Sequence, residues 1–347
     1  MEKTLGKEYF HEFLEYLKQN YRIAGPTRKG GATAYTYLTF DYVEKTEDLE
    51  LDYQTSMVPP KRLFAPDNEA LFGFKKVGSD VILEDLGEKG EKKCILLGIH
   101  PCDIVAISRL DKVFAEVYRD PYYWNRRENT IIIGQTCDRA GDYCFCNITG
   151  SGPDIEGGYD LLMTDIGDSY FFRTGSQSGE KLIQRDYFKA PTPEDKRGRE
   201  ERLENIRQGL KDDFNIEGIV EVMKEKYNDK LWDEYGERCV TCGVCNMVCP
   251  TCHCFAILDR ANVDQTEGKR IRVWDSCHFE RFAKMASGLD LREEKGSRFK
   301  HRLYDKFYYP PVRYGDIFCV GCGRCIEFCQ SRIDIRDALK KLQKGLK

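Results

Sequence analysis

The sequence predicts an α/β domain over residues 1–210, followed by a smaller α+β domain over residues 211–347. In the first part, two apolar runs flank a segment of helical periodicity, which predicts parallel strands joined by a crossover helix. A highly charged stretch, residues 191–208, predicts a surface helix or a solvated linker and marks the boundary. Of the 16 cysteines, 11 follow this boundary, so the two parts are expected to differ in chemistry.

Hydrophobic periodicity predicts the elements in order. Apolar residues at helical spacing predict a helix over 9–21, and alternation predicts a strand over 35–42. The runs 94–99 and 130–134 are continuous apolar segments of strand length, and residues 104–114 between them repeat at helical spacing. Two shorter strands and one helix complete the set, and they are predicted over 161–164, 170–173 and 216–235.

Composition excludes several classes of protein. The chain has 54 Lys+Arg against 58 Asp+Glu, and this slightly acidic balance gives no general attraction for nucleic acid or anionic membranes. No apolar run approaches the roughly 18 residues of a membrane span, and no signal-peptide pattern opens the sequence, so a cytoplasmic location is expected. Clustered cysteines in that compartment favour metal binding over a disulfide framework.

Two similar cysteine motifs lie in the second part of the chain. Both have the spacing C-x₂-C-x₂-C-x₃-C, which is typical of thiolates that bind a [4Fe–4S] cluster. This pair predicts a ferredoxin-like α+β domain with an insertion over 255–315; structural zinc is the alternative for four thiolates. In two-cluster ferredoxins the fourth cysteine of a motif binds the other cluster. The predicted sets are Cys239, Cys242, Cys245 and Cys329 for one cluster, and Cys319, Cys322, Cys325 and Cys249 for the other.

Four cysteines of the first part predict a third site. Cys102 and Cys137 each follow a predicted strand, at the edge where an open parallel sheet has its ligand crevice. Cys144 and Cys146 follow on a loop that contains Gly141. We expect these four thiols to bind a third [4Fe–4S] cluster, and the alternatives are zinc or plain buried thiols.

The remaining candidates complete no further ligand set. Cys94 begins an apolar strand and is expected to be inert, and the histidines without ligand spacing are expected to be structural or solvated. The chain has no dinucleotide fingerprint, P-loop or zinc-protease motif, so it is expected to convert no substrate by itself. Three cysteines are expected to pack, or to shape the surroundings of a neighbouring cluster: Cys252, Cys254 and Cys277. The histidines are His11, His100 and His301.

Several stretches resemble one family, which comprises the iron–sulfur β subunits of heteromeric soluble hydrogenases (sulfhydrogenases) and the related iron–sulfur component of anaerobic sulfite reductase. The resemblance implies an electron-transfer role between a catalytic hydrogenase or sulfite-reductase subunit on one side and a flavin-bearing diaphorase-type subunit on the other, with ferredoxin as a further candidate partner. The rival hypotheses are a reductase whose first domain binds flavin or substrate, and a zinc-stabilised interaction module. The stretches are GIHPCD at 98–103, DPYY at 120–123, CFC at 144–146, GYDL at 158–161, CPTCHCF at 249–255 and WDSC at 274–277.

Overall fold

The computed structural model of the chain describes residues 1–30, 36–87, 93–212 and 214–344. The predicted strand start at residue 35 lies outside these ranges. The strands are β1 (Glu2–Gly6), β2 (Arg22–Gly30), β3 (Thr36–Tyr42), β4 (Asn68–Val77), β5 (Asp80–Asp85), β6 (Cys94–Ile99), β7 (Thr130–Gln135), β8 (Leu161–Asp165), β9 (Ser169–Thr174), β10 (Phe188–Lys189), β11 (Phe255–Ala261) and β12 (Glu267–Trp274).

The helices follow the same chain order. Short 3₁₀ turns occur at Lys7–Tyr9, Thr46–Asp48, Pro60–Leu63 and Glu280–Ala283. The α-helices are α1 (Phe10–Asn20), α2 (Pro101–Val113), α3 (Pro121–Glu128), α4 (Gln177–Leu182), α5 (Pro193–Gly209), α6 (Ile219–Glu225), α7 (Leu231–Arg238), α8 (Val244–Met247), α9 (Lys295–Phe307), α10 (Tyr309–Tyr314), α11 (Arg324–Glu327) and α12 (Ile335–Lys344).

The larger sheet has eight strands in the order β10-β1-β9-β8-β7-β6-β2-β3. Its four central strands, β2, β6, β7 and β8, are parallel to one another, and the outer strands are antiparallel, so the sheet is mixed. Helices α2 and α3 connect β6 to β7, as the strand–helix–strand pattern predicts. Ile99 pairs with Gly134, which brings the carboxyl ends of β6 and β7 to one edge of the sheet.

The apolar runs of this sheet are explained by burial on both faces. All six residues of β6 are buried. Its side chains alternate between two cores, with Ile95 and Leu97 in the core that contains α1, and Leu96 in the core that contains α2. A parallel strand covered on both faces is expected to be continuously apolar, as this one is.

A second sheet combines distant parts of the chain. Its four strands lie in the order β11-β12-β4-β5 and are all antiparallel. Strands β11 and β12 belong to the predicted insertion 255–315, whereas β4 and β5 lie within residues 1–210. The register pairs Arg272 with Glu69 across the centre of this sheet. The division of the chain into two domains stays a prediction.

Two helical predictions are answered by the structure. The charged stretch 191–208 is largely helix α5, which begins with a reciprocal capping box between Thr192 and Asp195. The single helix predicted over 216–235 is wrong, because the chain there forms α6 and α7. The Asp229 carboxylate accepts a hydrogen bond from the Leu231 N–H at 2.9 Å, which starts a new helix instead of continuing the first.

Candidate iron–sulfur sites

The two cysteine motifs have the same local structure. Each is a loop that leads into a four-residue helix, α8 in the first motif and α11 in the second. The residue before each helix, Gly243 or Gly323, has a φ of 75°, a conformation that glycine adopts without steric cost. Any side chain there would also meet neighbouring atoms, the Phe279 ring at the first glycine and the Tyr143 carbonyl carbon at the second. Both motifs therefore need glycine at this position.

The first predicted cysteine set lies around one cavity. Cys239, Cys242 and Cys245 of the first motif share a cavity of about 450 Å³ with Cys329 of the second motif. Cys325 also reaches its wall. Cys242 is exposed, so this cavity borders the protein surface. The first three cysteines of one motif and the fourth of the other therefore lie together, which is the arrangement of ligands in two-cluster ferredoxins.

The second predicted set is also assembled from both motifs. Burial raises the pKa of the Cys319 thiol to about 12 and that of the Cys325 thiol to about 11, and the nearby Cys249 thiol adds to both shifts. Burial likewise raises the pKa of Cys322, and Cys249 again contributes. Thiols of this kind bind iron only as thiolates, so metal binding at this site must release their protons.

Buried cations surround this second set, and sequence analysis does not identify them. Arg302 donates to the Asn246 side-chain oxygen at 2.9 Å and to the Cys245 carbonyl at 3.0 Å. Lys61 donates to the Cys252 carbonyl at 2.8 Å, and burial lowers the pKa of its ammonium group. Both side chains are buried, as is Lys306. Positive charge at these depths stabilises the negative charge of clustered thiolates.

The four cysteines of the third predicted site also share one cavity. Cys102, Cys137, Cys144 and Cys146 line a space of about 490 Å³ at the edge where β6 and β7 end. Burial raises the pKa of the Cys146 thiol to about 12. The sequence prediction that these thiols converge is matched by their position, whereas their ligand role stays a prediction.

The third site is attached to the second motif by hydrogen bonds. The Phe145 N–H donates to the Gly321 carbonyl at 2.8 Å, and the Ser151 hydroxyl donates to the Val320 carbonyl at 2.6 Å. Gly321 has a φ of 59°, and a Cβ on it would lie 2.5 Å from the Phe145 carbonyl carbon. The loop that carries Cys144 and Cys146 therefore lies directly on the second motif.

A buried ion pair joins the same two sites. Arg324, inside the second motif, donates to both carboxylate oxygens of Asp103 at 2.7 Å, and Asp103 follows Cys102. The guanidinium also donates to the Ser56 carbonyl at 2.8 Å and to its hydroxyl at 2.9 Å. The Arg324 side chain is 2% exposed and that of Asp103 is 0% exposed. No local pattern in the sequence indicates this pair, because its members are 221 residues apart.

Two buried histidines face the predicted sites. His278 lines the first cavity, and its Nδ1 lies 3.9 Å from the Cys239 sulfur. His100 lines the third cavity, and burial lowers the pKa of its imidazole to about 3, with a further contribution from Arg324. The Nε2 atom of each ring is buried without a hydrogen-bond partner. The expectation that His100 is structural or solvated did not include a place in the wall of a cysteine-lined cavity.

The remaining cysteines lie next to the first motif. The buried Cys277 thiol accepts a hydrogen bond from the Asn246 amide at 3.0 Å, and the Cys252 thiol contacts the same amide at 3.7 Å. Cys254 lies beside Cys277. Cys94 is buried at the start of β6, away from the three cavities. Within the described ranges, no group of three or more His, Cys, Asp or Glu side chains forms a site for a single metal ion.

Comparison with known proteins places these sites in a family context. A family model described as a 4Fe-4S dicluster domain matches residues 238–333, which include both motifs. Sulfhydrogenase 2 subunit beta of Pyrococcus furiosus is 36% identical over 344 residues, which cover 99% of this chain and 98% of that protein. No solved structure matches the chain. Among the helices of the described residues, none is long and apolar enough to cross a membrane.

Proposed function

Because this chain belongs to the family of the sulfhydrogenase β subunits, we propose that it conducts electrons between two partner subunits of a larger oxidoreductase. It is an electron-transfer iron–sulfur protein, and its dicluster domain holds two [4Fe–4S] clusters. Each cluster, when bound, supplies one-electron redox chemistry. The observation that carries the proposal is the meeting of the two motifs at the first cavity, where three cysteines of one motif lie beside Cys329 of the other.

The proposed partners are a catalytic subunit of the hydrogenase or sulfite-reductase type and a flavin-bearing diaphorase-type subunit, in a cytoplasmic complex. The name of the relative, sulfhydrogenase 2 subunit beta, supports a place in a hydrogenase of several subunits. Exposure of Cys242 supports electron exchange at the first cavity, since its ligands reach the surface where a partner can dock.

We propose the crossed ligand sets, with Cys239, Cys242, Cys245 and Cys329 at one cluster and Cys319, Cys322, Cys325 and Cys249 at the other. The shared first cavity supports one set, and the proximity of Cys249 to the second motif supports the other. Arg302 and Lys306 are proposed to offset the charge of the second set.

We infer a third [4Fe–4S] cluster in the cavity of Cys102, Cys137, Cys144 and Cys146, carried by an α/β unit over residues 1–210. The ferredoxin-like unit would then comprise residues 211–347, with the insertion 255–315. Cys322 and Arg324 of the second motif reach the wall of the third cavity, which supports an order of third, second and first site along the electron path.

Iron and acid-labile sulfide per chain test the third cluster on anaerobically purified protein. About twelve of each are expected for three clusters, and about eight would reject the third. Cys102→Ser should lower the iron content by about four atoms, whereas Cys94→Ser, which removes a buried cysteine outside the three cavities, should leave it unchanged. Bound flavin in the isolated chain would favour the reductase hypothesis instead.

Paired variants test the crossed ligation. Cys249→Ser should reproduce the change that Cys319→Ser causes in the electron paramagnetic resonance spectrum of the reduced protein, because both serve one cluster. Cys329→Ser should reproduce the change caused by Cys239→Ser. If Cys249→Ser instead matches Cys239→Ser, each motif binds its own cluster and the crossed arrangement is wrong.

A further inference from the structure

The third cavity contains a fifth donor group besides its four cysteines. The His100 imidazole lies in its wall, 3% exposed, and its Nε2 has no hydrogen-bond partner. Buried polar atoms in native proteins are rarely unpaired, so an unpaired atom facing a set of thiols points to a ligand there. We propose that His100 Nε2 binds an iron atom of the third cluster, an assignment that rests on the proposed presence of that cluster.

The hydrogen bonding of the ring leaves this nitrogen free to bind metal. His100 makes a hydrogen bond to the backbone of Gln54, and it does so through Nδ1 because Nε2 has no partner. A backbone carbonyl only accepts hydrogen bonds, so Nδ1 carries the proton and Nε2 of the neutral ring carries a lone pair. Metal-binding histidines usually donate their other N–H to a carbonyl or carboxylate in this manner.

The orientation of the ring is fixed by its neighbours. Tyr53 stacks on the imidazole with ring centroids 4.1 Å apart and an angle of 5° between the planes. The Tyr53 hydroxyl is itself held by the Gly98 carbonyl at 2.8 Å. His100 is the residue that precedes helix α2, whose first turn carries Cys102. Two ligands two residues apart on a locked turn are preorganised for one cluster.

A cluster of four irons takes four protein ligands, so one of the four cysteines must lie outside the set. Cys144 differs from the other three, because it also lines an outer polar groove together with Asp138 and Arg336. Its thiol is directed to the Cys322 carbonyl at 3.8 Å. The geometry therefore assigns the ligands as His100, Cys102, Cys137 and Cys146, with Cys144 as an outer thiol.

This assignment has a consequence for the direction of electron flow. Histidine in place of cysteine raises the reduction potential of an iron–sulfur centre, because a neutral imidazole replaces an anionic thiolate. The third cluster is then expected to have a higher potential than an all-cysteine cluster at the same position. Replacement of His100 by cysteine should lower that potential while the cluster is retained.

Pulsed electron paramagnetic resonance of the reduced protein, labelled with ¹⁵N-histidine, tests the bond directly. A strong ¹⁵N coupling is expected in the unsubstituted protein, and His100→Ala should abolish it. His278→Ala is the matched control, since His278 also has an unpartnered Nε2 beside cysteines, in the first cavity. Absence of ¹⁵N coupling in protein with about twelve iron atoms, or its loss in His278→Ala alone, would overturn the assignment.

Iron content gives an independent test. Cys144→Ser should retain about twelve iron atoms per chain, and His100→Ala should retain about eight. The reverse result would return the third cluster to the four-cysteine set and overturn the role of His100. If the unsubstituted protein itself contains only about eight iron atoms, the third cluster is absent and both proposals fail, whereas the two clusters of the dicluster domain stand.

Discussion

Replacing Arg324 by methionine tests whether its ion pair with Asp103 holds the third site against the second motif. The substitution leaves the Asp103 carboxylate, which is 0% exposed, without two hydrogen bonds of 2.7 Å. Removing one partner of a buried pair typically costs about 3–5 kcal/mol, because an uncompensated charge stays behind. At a urea slope of about 2–3 kcal/mol per molar, the midpoint of unfolding should fall by about 1–2 M.

Arg270 provides a matched control on the surface. It also donates to both oxygens of one carboxylate, Asp259, at 2.7 Å each, but the two side chains are 43% and 48% exposed. Arg270→Met should therefore cost only about 0–1 kcal/mol. The assay is anaerobic urea unfolding of both variants, with iron measured on the same samples. Equal midpoints for the two variants would refute the argument that the buried pair is a strong structural link.

A second measurement separates lost attraction from stranded charge. The double variant Asp103→Leu/Arg324→Met removes both charges, and buried pairs replaced by apolar residues are often neutral or more stable. It should therefore unfold at a higher urea concentration than Arg324→Met alone. A double variant that is less stable than the single one would show that packing around Ser56 and Asp103, and not the orphaned carboxylate, dominates the loss.

Two further predictions concern the backbone and pH. Gly321→Ala should lose iron and stability, because its Cβ would meet the backbone of Phe145 and Cys146, whereas Gly315→Ala, also at positive φ but with no atom within 4 Å, should cost only about 1–2 kcal/mol; equal losses in urea unfolding and iron content would contradict this. Burial lowers the pKa of His301 below the value of 6.5 expected in the unfolded chain, with a further contribution from Arg292. The unfolded state therefore takes up the proton first as the pH falls below 6.5, so stability should fall with it, and less steeply in His301→Gln; identical pH profiles would contradict the shift.

The predictable part of the candidate sites is the part encoded by short spacing. The motif cysteines lie within a few residues of one another, so their geometry follows from a loop and one helical turn. Cys102 and Cys137 are also predictable, because parallel strands end at one edge of a sheet and β6 and β7 are long apolar runs. Each of these inferences needs only local pattern and one rule of sheet topology.

The surroundings of the cysteines could not be predicted, because they depend on pairing between distant segments. Arg324 and Asp103 are ordinary charged residues in the sequence, and only the fold makes them buried partners. Lys61 reaches the Cys252 carbonyl across 191 residues. His100 carries no ligand spacing, although its position two residues before Cys102 and after a predicted strand is a signal that could have placed it near the site. The two hairpins of the second sheet were missed because their strands are exposed and only weakly apolar.

The pairing of β4 with β12 has a consequence during protein synthesis. Strand β4 ends at Val77 and its partner begins at Glu267, about 190 residues later. At translation rates of about 5–20 residues per second, roughly 10–40 s separate the emergence of the two strands from the ribosome. Throughout this interval the β4–β5 hairpin has one edge without its partner, a state open to wrong pairing. A nascent chain of this protein therefore passes through a vulnerable period that a separately encoded small ferredoxin would not meet.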